Sequence, residues 1–345
     1  MRALVCPPVL ALLMLCTACA ARDLPGLGRH VPAAEIEYSQ PVIPPEVEDA
    51  ILALEPEALS EEQTLRLLSQ APAPRIINLN GSVHLVTMDS FSRFLIGMGY
   101  PESSVRQPGS GNYSYSSYQS GERLAGMVAW YYEREGMMPV LIGHSQGGMT
   151  VLRALYALDG EASPGIEVWN PLRDAGEGRH HIVDPRGGQA RPVAGLRLGF
   201  ASAIATGSTM RLLLGQWDML GRLRTVPDSV EEFTGFRIRL DLLGANLLGS
   251  DRYRAAGSAR VRDVVLPASY GHLTAVDTED LSADPAARFW IETYRPGAED
   301  PPTYLLQGES RRNILLAAEL WHSLKRHWCM EIQRLIKAKR GLRGG

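Results

Sequence analysis

One stretch in the middle of the chain constrains the fold most: residues 137–156, which read MMPVLIGHSQGGMTVLRALY. Its first part is an apolar run typical of a buried strand, and its last part has apolar residues at helical spacing. Between them, residues 143–147 have the G-x-S-x-G spacing of a sharp strand-to-helix turn that exposes a serine hydroxyl. The flanking glycines leave room for a strained backbone at Ser145. We therefore expect Ser145 at a helix N-terminus, where N–H groups favour developing negative charge.

The predicted elements alternate between strands and helices. Helices are predicted at 45–54, 60–68, 88–98, 122–133 and 284–294, and strands at 75–79, near Val105, and at 138–142, 195–205, 236–240 and 259–266. This alternation predicts the α/β class, with a mostly parallel sheet and helices on both faces. Ligands of such sheets bind at the carboxyl ends of the strands, and Ser82 and Ser145 both fall there.

The GHSQGG motif at 143–148, in this context, resembles the nucleophile turn of esterases and lipases of the α/β-hydrolase superfamily. The resemblance implies an α/β-hydrolase fold over roughly residues 75–294, with lid-like insertions, and cleavage of carboxylic esters through an acyl-enzyme on Ser145. A small-molecule or lipid ester is the implied substrate. Two alternatives stay open: an acyltransferase or thioesterase with the same residues, and a non-catalytic envelope-binding protein on the same fold.

A serine hydroxyl needs a base to accept its proton, and five histidines follow Ser145: His180, His181, His272, His322 and His327. Of these, His272 follows directly on the strand predicted at 259–266. This is where the superfamily carries its base, so we assign that role to His272. The vicinal pair His180 and His181 lacks the spacing of further ligands, and we expect neither a metal nor a cofactor.

The acid that orients the base is expected at the end of the strand before the last one. Asp241 ends the strand predicted at 236–240, and Asp251 follows ten residues later. We prefer Asp241 because a carboxylate at a strand end is held rigidly, whereas Asp251 would extend from a longer loop; Asp251 remains the alternative.

The resemblance also implies an oxyanion hole made of two backbone N–H groups. One is that of Gln146, the residue after the nucleophile. The other comes from the loop Asn80-Gly81-Ser82, which is similar to the His-Gly-X loop of lipases but has asparagine in the first position. The second donor is therefore Ser82 or Val83.

The first 18 residues predict a signal peptide, with Arg2, an apolar run and small residues before the cleavage point. Cleavage before Cys19 would resemble bacterial lipoprotein processing and place a lipid on Cys19; cleavage after Ala20 or Ala21 would leave no lipid. Residues 19–45 predict an extended tether, followed by a domain over 46–302. We expect an exported protein of the cell envelope or periplasm, anchored to a membrane if Cys19 is lipidated.

Two segments within the domain lack regular periodicity. Residues 160–192 are rich in glycine, proline and charged residues, and we expect them to extend over the site. Residues 207–234 contain the apolar stretch 210–223, which suits either a lid over an apolar pocket or a core helix.

Residues 303–345 predict a basic amphipathic extension, with apolar residues at helical spacing from Leu320 to Ile336. Such a helix could lie on an anionic membrane surface, dock on the domain with a solvated face, or remain a poorly ordered appendage. In each case, deletion from Trp321 onward is expected to leave hydrolysis of soluble esters intact. The whole chain has a net charge of −3, which provides no electrostatic basis for binding nucleic acid.

Overall fold

A five-stranded parallel sheet forms the centre of the protein. The computed structural model describes residues 42–82, 86–160, 165–207, 217–219, 221–241, 252–297, 300–306 and 313–341. Among these, the central strands are β1 (Ile76–Leu79), β2 (Val140–His144), β3 (Leu198–Ile204), β4 (Val230–Ile238) and β5 (Arg260–Leu266). They lie side by side in chain order, and each neighbouring pair is parallel. The predicted α/β class with a parallel sheet is confirmed.

Helices connect and flank these strands. They are α1 (Pro45–Leu52), α2 (Glu61–Arg66), α3 (Asp89–Gly97), α4 (Glu102–Val105), α5 (Gly121–Glu135), α6 (Gln146–Leu158), α7 (Pro285–Thr293) and α8 (Ile314–Lys339). Helix α2 begins with a capping box, in which Ser60 and Gln63 exchange hydrogen bonds. Short 3-10 turns lie at Pro56–Ala58, Leu68–Gln70, Trp217–Met219, Glu279–Ser282 and Thr303–Leu306.

Two predicted elements differ from the structure. Val105 ends the short helix α4, which starts after Pro101, and is not in a strand. Strand β4 begins at Val230 rather than at 236. Its first part escaped the sequence pattern because Glu231 and Glu232 interrupt the apolar residues, and both glutamates are paired with arginines of α8.

Neighbouring residues of one strand belong to two separate cores. Ile76 of β1 packs into one cluster of buried residues and Ile77 into the other. Because successive side chains of a strand point to opposite faces, both faces of the sheet are covered. Helices α5 and α6 contribute to the core on one face, and α3 and α8 contribute to the core on the other.

Helix α8 is part of the core. The apolar residues that the sequence places on one helical face are all buried: Leu320, Trp321, Leu324, Trp328, Ile332, Leu335 and Ile336. Lys325 and Arg326 are buried as well, where they pair with Glu292 and Glu232. The described residues form one compact unit with no division at 302. This corrects the assignment of 303–345 as an extension, because the protein itself covers the apolar face that a membrane surface would need.

The described part of residues 160–192 does not extend over the site as the sequence predicts. Its described part forms two antiparallel hairpins, Trp169–Asn170 with Ala175–Gly176 and His181–Val183 with Ala190–Pro192. These hairpins pack on helix α5, where Trp130 Nε1 donates to Glu177 over 2.9 Å and the Tyr132 hydroxyl donates to Asp184 over 3.0 Å. The hairpins therefore cover α5 rather than the site.

The segment 207–234 is described only in part, since residues 208–216 and 220 lie outside the described ranges. Asp218 accepts a hydrogen bond of 2.6 Å from Arg153 of α6, and Thr225–Val226 pairs in parallel with Arg254–Ala255. The end of this segment, from Val230, belongs to β4.

The predicted signal peptide, Cys19 and most of the tether also lie outside the described residues, which begin at Val42. In the described part of the chain, no helix is both long and apolar enough to cross a membrane.

Candidate active site

Three side chains that are distant in the sequence meet at one edge of the sheet. His272 Nε2 lies 3.0 Å from Ser145 Oγ, and His272 Nδ1 lies 2.7 Å from Asp241 Oδ2. Ser145 follows the carboxyl end of β2, Asp241 follows that of β4, and His272 follows that of β5. The structure thus brings together the three residues that the sequence analysis singled out.

The turn at Ser145 has the strained backbone that the sequence predicts. Ser145 has φ 49° and ψ −107°, a region that non-glycine residues rarely occupy. The neighbouring glycines are required by close packing: a Cβ at Gly143 would lie 2.2 Å from the Gly147 carbonyl carbon, and one at Gly147 would lie 2.4 Å from the Leu79 oxygen. The Ser145 N–H donates to the Ile204 carbonyl over 2.8 Å, which fastens the turn to the end of β3.

The hydrogen bond between His272 and Asp241 determines which nitrogen of the imidazole carries the proton. A carboxylate only accepts hydrogen bonds, so the Nδ1 proton of His272 donates to Asp241. In the neutral imidazole, Nε2 then carries a lone pair directed at the Ser145 hydroxyl. The Asp241 side chain is 1% exposed and that of His272 is 9% exposed, so water competes little for this bond. Leu240 reverses the chain before Asp241 with a positive φ of 58°.

His144, the residue before the serine, also takes part in this arrangement. Its Nε2 lies 2.8 Å from the backbone carbonyl oxygen of His272, and the two imidazole rings lie 5.2 Å apart. The sequence pattern assigns no role to His144. Its position next to Ser145 in a G-x-S-x-G motif is the one signal that could have drawn attention to it.

Gln146 and Gly81, from the two segments proposed for an oxyanion hole, lie near Ser145. Gln146 is the first residue of α6, and the first N–H groups of an α-helix have no carbonyl partner within that helix. The loop after β1 also comes close to Ser145, since a Cβ at Gly81 would lie 3.7 Å from the Ser145 Cβ. Val83, one candidate for the second donor, lies outside the described residues, whereas Ser82 lies within them.

Neighbouring hydroxyl groups hold the loop after β1 in place. Ser117 Oγ donates to the Gly81 carbonyl over 3.1 Å, and the Tyr118 hydroxyl donates to the Ser82 carbonyl. Thr150 of α6 donates in turn to the Ser117 carbonyl over 3.0 Å. The loop is thus connected to the helix that starts at the candidate nucleophile.

A cavity of about 290 Å³ lies between this loop and the loop of His272. It is lined by Val86, Thr87, Ser90, Leu273, Thr274 and Asp277. Partial burial raises the pKa of the Asp277 carboxyl above its usual value. This lining is mixed in polarity.

The other residues considered for the site are His180, His181 and Asp251. His180 and His181 are exposed, and the described residues contain no group of three or more histidine, cysteine, aspartate or glutamate side chains that could hold a metal ion. Asp251, the alternative acid, lies outside the described residues.

Comparison of the chain with protein-family models, with curated proteins and with solved structures gives no match.

Proposed function

We propose that the protein is a serine hydrolase of the α/β-hydrolase fold that cleaves carboxylic esters through an acyl-enzyme on Ser145. The observation that carries the proposal is the pair of hydrogen bonds that links Ser145, His272 and Asp241. A serine, a base and a buried acid in this order are the arrangement that activates a hydroxyl for acyl transfer. The strained turn at the start of α6 supports the same proposal, because it keeps the hydroxyl outside the helix.

In the proposed reaction, Ser145 Oγ attacks the ester carbonyl carbon while His272 Nε2 accepts the hydroxyl proton. The oxyanion that forms would accept hydrogen bonds from the Gln146 N–H and from an N–H of the loop after β1. Collapse of this intermediate breaks the bond to the alcohol, which leaves with the proton from His272. A water molecule, deprotonated by His272, then attacks the acyl-enzyme and releases the acid. Asp241 holds the imidazole in the required tautomer and stabilises its charged form.

Covalent labelling by a fluorophosphonate tests whether Ser145 is activated. We expect the wild-type protein to be labelled at Ser145, and we expect Ser145→Ala and His272→Ala to abolish labelling. Ser110→Ala, which changes an exposed serine, is the matched control and should be labelled like the wild type. Hydrolysis of short nitrophenyl esters should follow the same pattern. A wild type that is neither labelled nor active on these esters would contradict the proposal.

We also propose that the chain is exported and that Cys19 carries a lipid. The support is the sequence of the leader alone: a positive start, an apolar run and small residues up to Cys19. Intact-mass measurement of the N-terminal peptide tests both parts. A lipid-modified Cys19 is the expected result; an unmodified N-terminus at Ala21 or Arg22 would contradict lipidation, and an uncleaved leader would contradict export.

A further inference from the structure

A second cavity, of about 600 Å³, lies at the opposite end of the sheet from Ser145. Glu232 near the start of β4 and Arg260–Arg262 at the start of β5 form one wall. His322 and Arg326 of α8 form another, and Arg295 and Pro296, which follow α7, lie at the rim. The strands are parallel, so their amino ends share one end of the sheet and their carboxyl ends share the other. This cavity lies at the amino ends of β4 and β5 and is therefore separate from the candidate active site at the carboxyl ends.

Positive charge dominates the lining, which contains four arginines and two glutamates. Three of the arginines share one carboxylate: Glu232 lies 2.7 Å from Arg326, 3.3 Å from Arg260 and 3.6 Å from Arg262. Arg262 is also bonded to Glu319, behind the lining, and Arg326 to Glu57. Burial alone would raise the pKa of Glu232, but the contact with His327 and the charges of Arg326 and Arg262 lower it to about 2. Glu232 is therefore already engaged by more than one cation.

Two of the arginines have donors left for a ligand. Arg295 is exposed and donates to the Tyr294 carbonyl over 2.9 Å, with no carboxylate partner among the described residues. The Arg260 side chain is 59% exposed, and its contact with Glu232 is an ion pair of 3.3 Å. Both side chains can turn further N–H groups towards the cavity, since a guanidinium has five.

The buried imidazole of His322, unpaired at Nδ1 within the described part of the chain, independently indicates that a ligand binds here. The residue is 8% exposed, lines the cavity, and has no hydrogen-bond partner among the described residues for its buried Nδ1. Burial and the positive charges of Arg262, Lys325 and Arg295 lower the pKa of His322 to about 4, against the opposing effect of Glu57. The imidazole of His322 is therefore neutral and lies in an electropositive cavity. Its Nδ1 has no hydrogen bond to any described residue, and a buried group left in that state lowers the stability of the folded protein.

We propose that this cavity binds the phosphoryl group of a small phosphate monoester. Arginine forks match the geometry of phosphate oxygens, and the imidazole supplies a further N–H donor. A phosphate monoester carries close to two negative charges at neutral pH, which suits the excess of two positive charges in the lining better than a single carboxylate does. The volume exceeds what a bare phosphate ion needs and falls in the range of small-molecule sites. The proposal goes beyond ester hydrolysis and does not depend on it.

Calorimetric titration with inorganic phosphate and with glycerol phosphate, at constant ionic strength, tests the proposal. We expect saturable binding of both, and binding at least about fivefold weaker in Arg295→Ala. Arg260→Ala is a second variant with an exposed side chain. The control is Arg66→Ala, which removes a 78% exposed arginine that pairs with Glu62. Absence of saturable binding, or equal affinities in all four proteins, would overturn the proposal.

The proton resonances of His322, assigned with His322→Gln, provide a readout at the cavity itself. A bound dianion stabilises the imidazolium, so phosphate should raise the pKa of His322 while leaving the resonances of the exposed His180 and His181 in place. Binding that leaves the His322 resonance unchanged would place the phosphate elsewhere and overturn the assignment.

The phosphoryl group could belong to a soluble metabolite or to a lipid headgroup, and a vesicle assay distinguishes the two. Vesicles of phosphatidylcholine with phosphatidic acid are compared with vesicles of phosphatidylcholine alone. Arg295-dependent binding to glycerol phosphate without vesicle binding supports a soluble ligand, and Arg295-dependent binding to phosphatidic acid vesicles supports a lipid headgroup. Vesicle binding equal in wild type and Arg295→Ala, together with no binding of glycerol phosphate, would contradict the site.

Discussion

His144 Nε2 donates a hydrogen bond to the backbone carbonyl of His272 over 2.8 Å. Because a carbonyl oxygen only accepts, the proton of this imidazole must be on Nε2. The bond ties the residue before the candidate nucleophile to the residue proposed as the base, so the two loops are held in one geometry. We therefore expect His144 to act on the reaction through His272, as a positioning residue.

Loss of the His144 donor should lower kcat more than it changes KM. His144→Phe keeps a planar ring but cannot donate, so we expect kcat for a nitrophenyl ester to fall about tenfold or more, because small displacements of catalytic groups are costly. His144→Gln retains an N–H donor at a similar reach and should recover much of the rate. Equal rates in the two variants, at equal thermal stability, would contradict the positioning role.

Asp241 should be far more important for the reaction than Asp251. Asp241→Asn removes the carboxylate that holds the His272 tautomer, and we expect kcat/KM to fall by about 10³- to 10⁴-fold. Asp251→Asn is the matched control, and its kcat/KM should stay close to the wild-type value. The reverse order of effects would transfer the role of the acid to Asp251.

Gly147→Ala should destabilise the protein. The added Cβ would lie 2.4 Å from the Leu79 carbonyl oxygen, so strand β1 and helix α6 must move apart. We expect the free energy of unfolding to fall by at least about 2 kcal/mol in urea titration. Gly187→Ala, where a Cβ meets nothing within 4 Å, is the control and should change stability by less than about 0.5 kcal/mol. Similar effects of the two substitutions would contradict the close packing.

Helix α8 should be necessary for folding. Trp328 is fully buried against Tyr100, with ring centroids 4.9 Å apart, and its Nε1 donates to the Pro72 carbonyl over 3.1 Å. We expect Trp328→Ala to lower the free energy of unfolding by about 3–5 kcal/mol. The control Phe289→Ala, at a side chain 69% exposed, should have little effect.

Because α8 is part of the core, we no longer expect a chain that ends before Trp321 to retain hydrolysis of soluble esters. Deletion from Trp321 onward should abolish cooperative unfolding and ester hydrolysis together, because the core on one face of the sheet loses most of α8. Circular dichroism and activity of the truncated chain measure this. A truncated chain that unfolds cooperatively and remains active would show that α8 is dispensable.

The stability contribution of Glu232 should disappear in acid. The contact with His327 and the charges of Arg326 and Arg262 outweigh burial and hold its carboxylate charged, so its pKa in the folded protein is about 2, below the ordinary value of 4.5. A lowered pKa means that the contribution is fully present above about pH 4.5 and is lost as the pH falls towards 2. Glu232→Gln should therefore lose a few kcal/mol at pH 7 and differ progressively less from the wild type below pH 4.5.

Urea titrations of both proteins between pH 7 and pH 3 measure this difference. Glu62→Gln, at an exposed pair, is the control and should follow the wild type throughout. A difference between Glu232→Gln and the wild type that stays constant down to pH 3 would contradict the ion pairing of Glu232.

The sequence predicted best where local chemistry alone decides the structure. The strained turn at Ser145 requires glycines on both sides, and these can be read directly from residues 143–147. The choice of His272 and Asp241 depended on predicted strand ends and on the resemblance, and the structure places His272 against Ser145 and Asp241 against His272. Long-range packing was harder to infer. The charges of α8 indicated a surface helix, whereas Lys325 and Arg326 are buried with glutamates that are distant in the sequence.

The order of the strands bears on how the chain acquires its structure. Each new strand joins the sheet beside the one made before it, and α8 is the last of the described elements to leave the ribosome. Until it emerges, one face of the sheet lacks much of its cover, so a stable native state must wait for residues far beyond Ser145. If the chain is exported as we propose, this delay would keep it unfolded long enough to pass through a narrow translocation channel.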